Sequence, residues 1–143
     1  MNGNTFRTGR ACFLLLFLGV TVWATDKAAL GDLTLASGGR TTYVITVGDD
    51  ATVPEVNAAK DLASYLRQVT GAEFAVQSPA QTAADQPCIM VGQTKSVTAV
   101  LGEVDWGSLG HDGIVIKTKG QHLILASGRP RGTLYAVYTF VIV

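Results

Sequence analysis

The chain has 143 residues, 48% of them hydrophobic and 15% charged, with 11 basic against 11 acidic side chains and a formal net charge of +0. This length supports one domain with its own core, and the balance lacks the basic patch that a nucleic-acid surface requires. With 2 Cys and 2 His, no spacing matches a metal site, and the expectation is no metal and no cofactor.

Arg7 and Arg10 precede a dense apolar run, Ala11 to Val20, that continues through Val22 and Trp23 to Ala24. A basic start, a short apolar stretch and a loosely small-x-small end over Val22-Trp23-Ala24 predict a secretory signal peptide over residues 1–24. The alternative, a membrane anchor, needs about 20 apolar residues, and this run is shorter, with Gly19 and Thr21 inside it. The mature chain, 25–143, is expected to be secreted or periplasmic, with no stable membrane span. Cleavage removes Arg7 and Arg10 and no acid, leaving 9 of the 11 basic residues against 11 acidic ones, a net charge of about −2. It also removes Cys12, so Cys88 is left without an intramolecular disulfide partner.

Leu33-Thr34-Leu35-Ala36 alternates like a short strand, and Ser37-Gly38-Gly39-Arg40 reads as a turn. Tyr43 to Val47, β-branched and aromatic, predicts a strand. Asp49-Asp50 reads as a polar turn before a helix. Thr52-Val53-Pro54-Glu55 is a capping box, and it opens a helix expected over residues 53–70. Ala59, Leu62, Leu66 and Val69 form the predicted apolar stripe, flanked by Ala58, Ala63 and Tyr65, and Gly71 supplies the left-handed stop.

Beyond the helix, Phe74-Ala75-Val76 and Cys88-Ile89-Met90-Val91 predict strands, with Cys88 buried. Ser78 to Gln86 reads as a surface loop, and Thr94 to Leu101 as a short helix or turn. His111-Asp112 reads as a turn into a hairpin strand. Ile114–Lys117 and His122–Ala126 bracket that hairpin's four-residue loop, Thr118 to Gln121, with His122 expected to be exposed. From Pro130 a last helix is predicted, with Leu134, Val137, Tyr138 and Val141 on its apolar stripe. No stop signal follows, and Phe140 to Val143 are all apolar. The chain is therefore expected to be the front part of a longer polypeptide whose continuation covers that helix. Together these elements predict an α+β fold, a mixed or largely antiparallel sheet with two main helices packed on one face.

No catalytic residue is assigned from the pattern. The acids Asp49, Asp50, Asp61, Glu73, Asp85, Glu103, Asp105 and Asp112 are scattered, and a glycosidase pair would have to face each other across a cleft. No Gly-x-Ser-x-Gly motif is present. The one stretch with chemical character is Ser127-Gly128-Arg129-Pro130-Arg131-Gly132. There Arg129 and Arg131, with free N–H groups at a helix start, are candidates to hold an anion or to contact a neighbouring domain. The competing reading is a plain turn into a helix.

The gathered motifs resemble a known domain. The helix Glu55-Val-Asn-Ala-Ala-Lys-Asp-Leu-Ala-Ser-Tyr-Leu-Arg-Gln-Val-Thr-Gly71 is followed in order by Ile89-Met-Val-Gly92, Asp112-Gly-Ile-Val-Ile116, Leu123-Ile-Leu-Ala-Ser-Gly128 and Arg131-Gly-Thr-Leu-Tyr-Ala-Val-Tyr138. Across roughly residues 33–141 the chain is similar to the N-terminal domain of family 67 α-glucuronidases and to the second domain of family 20 β-N-acetylhexosaminidases. It looks closest to large bacterial proteins that carry this domain at the front. The resemblance implies a non-catalytic accessory domain of an exported glycoside hydrolase, packed against a catalytic (β/α)8 barrel absent from this chain. The catalytic carboxylates would then lie on that barrel. The alternative is a freestanding carbohydrate-binding or interaction module, with Tyr43, Trp106, Tyr135 and Tyr138 as candidate sugar-stacking faces.

Overall fold

A computed structural model describes residues 33–128 and 131–142; the expected signal peptide lies outside the described residues. Five strands form one sheet in the order β2-β1-β3-β5-β4. They are β1 (Val44–Val47), β2 (Val76–Gln77), β3 (Cys88–Val91), β4 (Ile114–Lys119) and β5 (His122–Ser127). The helices are α1 (Val53–Thr70), α2 (Lys95–Leu101) and α3 (Gly132–Ile142). The fold is α+β with a mixed sheet. β1 pairs in parallel with β2 and β3, and β3 with β5, while β4 runs antiparallel to β5.

The central strands are apolar on both faces, as parallel strands covered on both sides must be. One face carries Ile45, Val47, Ile89, Val91, Leu123 and Leu125, and packs against Ala58, Ala59, Leu62 and Leu66 of α1 and Ala136 and Val137 of α3. The other face carries Cys88, Met90, Ile124 and Ala126, and packs against Val97 of α2 with Trp106 alongside. The two main helices thus share one face, and the short α2 covers part of the other. The edges are blunted differently: β2 has two residues, and β4 exposes Lys117, Thr118 and Lys119, which discourages pairing with a further strand.

Helix α1 follows its sequence signals at both ends. The capping box closes at Thr52, and Gly71 takes φ 72° to end the helix. Its inward face is rotated from the predicted stripe, however. Val69 is 77% exposed, whereas Glu55, at 1% exposure, begins the buried row with Ala58, Ala59, Leu62 and Leu66. Leu33 to Ala36 form no strand. Leu33, Leu35 and Ala36 pack against the core, while the Thr41 hydroxyl donates to the Leu35 carbonyl at 2.5 Å and accepts from the Tyr43 N–H at 2.9 Å. A side chain here does the work of a ladder. The second strand lies at Val76–Gln77 rather than Phe74–Val76, because Phe74 turns into the core. The hairpin loop shortens from four residues to Gly120 and Gln121, since Lys119 pairs with His122. His122 is half-buried rather than exposed, its Nδ1 accepting from the Cys88 N–H at 3.3 Å.

Glu55 connects helix to sheet. Its Oε2 accepts from the Thr52 N–H at 2.7 Å and the Thr52 hydroxyl at 2.8 Å, and its Oε1 accepts from the Gln93 N–H at 2.7 Å. Gly92, just after β3, has φ 98°, and a Cβ there would lie 2.9 Å from Glu55 Cδ and 3.0 Å from Oε1. Only glycine permits both the turn and the carboxylate beneath it. Glu55→Ala should therefore destabilise the domain by about 2–4 kcal/mol, through two stranded N–H donors and the lost packing. Thr52→Ala should cost about 1 kcal/mol. Urea unfolding monitored by circular dichroism separates the two; equal costs would show that the Gln93 bond contributes nothing.

Candidate functional site

The carboxyl ends of β1 and β3 mark the point where successive crossovers diverge. From β1 the chain passes to β2 on one side, and it then returns beyond β1 to β3 on the other. Crevices at such switch points are where open parallel sheets bind ligands. Here a cleft of about 950 Å³ opens between Asp50, after β1, the segment Gln93-Thr94-Lys95, after β3, and the turn Glu103-Val104-Asp105-Trp106.

Its floor is built by close approach. A Cβ on Gly48 would stand 2.5 Å from Thr94 Cβ and 2.7 Å from Asp50 Oδ1, so the two strand-end loops touch only because residue 48 has no side chain. Thr94 caps α2, its Oγ1 accepting from the Val97 N–H at 3.4 Å, and Asp50 Oδ2 accepts from the Lys95 N–H at 3.3 Å. Asp105 Oδ1 accepts from the Ser108 N–H at 3.2 Å and holds the turn that presents Trp106. Lys95, Glu103 and Asp105 are exposed and Trp106 is half-buried. Three of the acids that look scattered in sequence, Asp50, Glu103 and Asp105, thus line one cleft. Two of them already serve as turn and loop acceptors.

Of the candidate site residues, Arg129 lies outside the described residues. Arg131 is exposed and immediately precedes α3, with its carbonyl accepting from the Leu134 N–H at 3.1 Å. Behind it the Ser127 and Thr133 hydroxyls pair at 3.2 Å in the interior. The candidate stacking residues separate by environment. Tyr43 is a core residue, Trp106 lines the cleft, and Tyr135 and Tyr138 sit on the outer side of α3 at 44% and 37% exposure. Tyr138 meets the Tyr65 ring edge-on at a centroid distance of 6.3 Å and donates to Asp61 Oδ2 at 3.2 Å. That hydrogen bond, followed by desolvation, holds the Tyr138 phenol above its ordinary pKa.

Cys88 is buried at the sheet, where desolvation pushes its thiol up and keeps it a poor nucleophile. Beside it the buried Thr46 hydroxyl, which has no protein partner, lines a second pocket of about 220 Å³ together with His122 and Met90. Among the described residues, no group of three or more His, Cys, Asp or Glu is arranged to hold a metal ion, and no helix is long and apolar enough to cross a membrane.

No curated protein matches this chain. The family described as "Glycosyl hydrolase family 67 N-terminus" matches residues 36–140, a span that takes in all five strands and nearly all of the three helices. In this family the domain is an accessory unit of a glycoside hydrolase, and its partner in the parent protein is a catalytic domain. With most of its length inside that match, the chain belongs to the glycosyl hydrolase family 67 N-terminus family.

Proposed function

We propose that this chain is the non-catalytic N-terminal accessory domain of an exported glycoside hydrolase of the α-glucuronidase type, acting in carbohydrate degradation. On this reading it packs its α1–α3 face against the catalytic barrel. The observation that carries the reading is the composition of α3. Gly132 to Ile142 contains no charged residue, yet Tyr135, Tyr138 and Ile142 are exposed on it, with Tyr65 and Val69 exposed on the neighbouring α1. A helix apolar on every side belongs between two packed bodies, and family membership supplies the second body. Tyr65 and Tyr138 meet across the two helices, and exposed apolar surface that joins in this way marks an interaction site.

The basic, apolar run at 7–24 supports export with cleavage after Ala24. Arg131, beside the amino end of α3, then belongs to the rim of the interface, with Arg129 as its neighbour in sequence. Rim charges set orientation and association rate more than affinity.

The exported chain should begin at Thr25 by amino-terminal sequencing and show no turnover on aryl glycosides. Turnover that disappears on changing one of Asp50, Glu103 or Asp105 to its amide would overturn the accessory reading. With a family 67 catalytic domain supplied in trans, Arg131→Ala should slow association about two- to fivefold, in a salt-dependent manner. An unchanged rate would remove Arg131 from the interface.

A further inference from the structure

The cleft at the ends of β1 and β3 lies on loops that the proposed α1–α3 docking face does not use, and its chemistry selects a ligand class. We propose that it is a binding site for a neutral oligosaccharide, with the Trp106 indole as the stacking platform and Lys95, Glu103 and Asp50 as hydroxyl partners. The choice of saccharide among neutral polyhydroxylated ligands rests on the glycan-degrading reading above; the cleft itself does not.

Three residues with carboxylates, Asp50, Glu103 and Asp105, line the cleft together with one that carries an ammonium, Lys95. An anion meets a carboxylate excess, and a cation meets the Lys95 ammonium, with the Asp50 and Asp105 carboxylates each already accepting one backbone N–H. An uncharged ligand rich in hydroxyls meets neither obstacle. It donates to carboxylate oxygens and accepts from the ammonium, which are the stronger kinds of hydrogen bond. The indole offers a flat apolar face and an N–H donor at its edge, the combination that a sugar ring with one apolar face requires.

The site is held in shape before any ligand arrives. Trp106 packs against the apolar cluster of Cys88, Met90, Val97, Ile124 and Ala126, and a Cβ on Gly128 would stand 3.3 Å from the Trp106 carbonyl, so the end of β5 closes directly behind the Trp106 turn. On the opposite wall, Gln93 is fixed through its N–H to the buried Glu55, and Gly48 lets Thr94 lie against β1. A preformed site loses less entropy on binding. The volume of about 950 Å³ sits at the upper end of the range for ligand pockets and favours an oligomer over a single ring.

Titration calorimetry of the full chain with xylotetraose and cellotetraose, and with a linear tetragalacturonate as the anionic control, tests this. One of the neutral tetraoses should bind saturably at one site, and the anionic one at least about tenfold more weakly, a difference of about 1.4 kcal/mol. Trp106→Ala should weaken the neutral ligand about tenfold or more. Glu103→Gln, on an exposed side chain, should weaken it about threefold while leaving the unfolding midpoint unchanged, which keeps the test informative if the Trp106 variant does not fold. The proposal fails if neither neutral tetraose saturates by about 10 mM, if both variants bind like the parent chain, or if the anionic ligand binds more tightly. Because no catalytic domain enters the titration, failure here leaves the accessory reading standing, whereas failure of that reading removes the ground for a saccharide and leaves only the cleft.

Discussion

The Glu55 carboxylate is the constraint on which the arrangement depends. A helix begins with backbone N–H groups that have no partner within it, and α1 meets this locally through Thr52. The same side chain also reaches the Gln93 N–H just beyond β3. One buried residue therefore fixes the start of the helix, the direction in which the chain leaves β3, and the wall of the cleft that follows. Gly92 supplies both the backbone turn and the space that this contact needs. Replacing Gly92 with any other residue would force a positive φ on a side chain and collide with Glu55 in one step.

From that clamp the rest of the domain follows in layers. α1 lies across one face of the sheet with α3 beside it, the Tyr65–Tyr138 contact joining them on the outside and Leu62, Ala136 and Val137 among the residues packed within. The opposite face is only partly covered by α2, and it leaves the cleft beside Trp106. The domain thus presents two unlike surfaces. One is an apolar, aromatic helix face suited to permanent burial against a partner domain, and the other is a polar cleft with a single indole, suited to a soluble ligand. Their chemistries differ enough that one occupant would not satisfy both.

Local signals made α1 legible in the sequence, because its capping box, apolar period and terminal glycine all act within a few residues of one another. The buried strands β1, β3 and β5 were legible for a similar reason, as short β-branched or apolar runs. Their parallel pairing was not, since an apolar run does not record the direction of its neighbour. The Leu33–Ala36 segment alternates as a strand does, but its apolar side chains pack on the core and Thr41 satisfies the Leu35 carbonyl. Glu55 was visible as a cap, whereas its contact with Gln93 spans 38 positions and leaves no local trace. The cleft was hidden in the same way, because its lining joins residues 50, 93–95 and 103–106. The block order from Glu55 to Tyr138 carried the family likeness before any contact could be seen.

The central claim is that the α1–α3 face is built to be covered by a catalytic domain. Hydrogen–deuterium exchange over α1 and α3 tests it most directly, comparing this chain alone with the chain fused after Val143 to a family 67 catalytic domain. The account predicts that amides of Thr133 to Ile142 exchange markedly more slowly in the fusion, together with those around Tyr65 and Val69, while the segments lining the cleft change little. Equal exchange across α3 in the two proteins, or protection confined to the cleft, would contradict it.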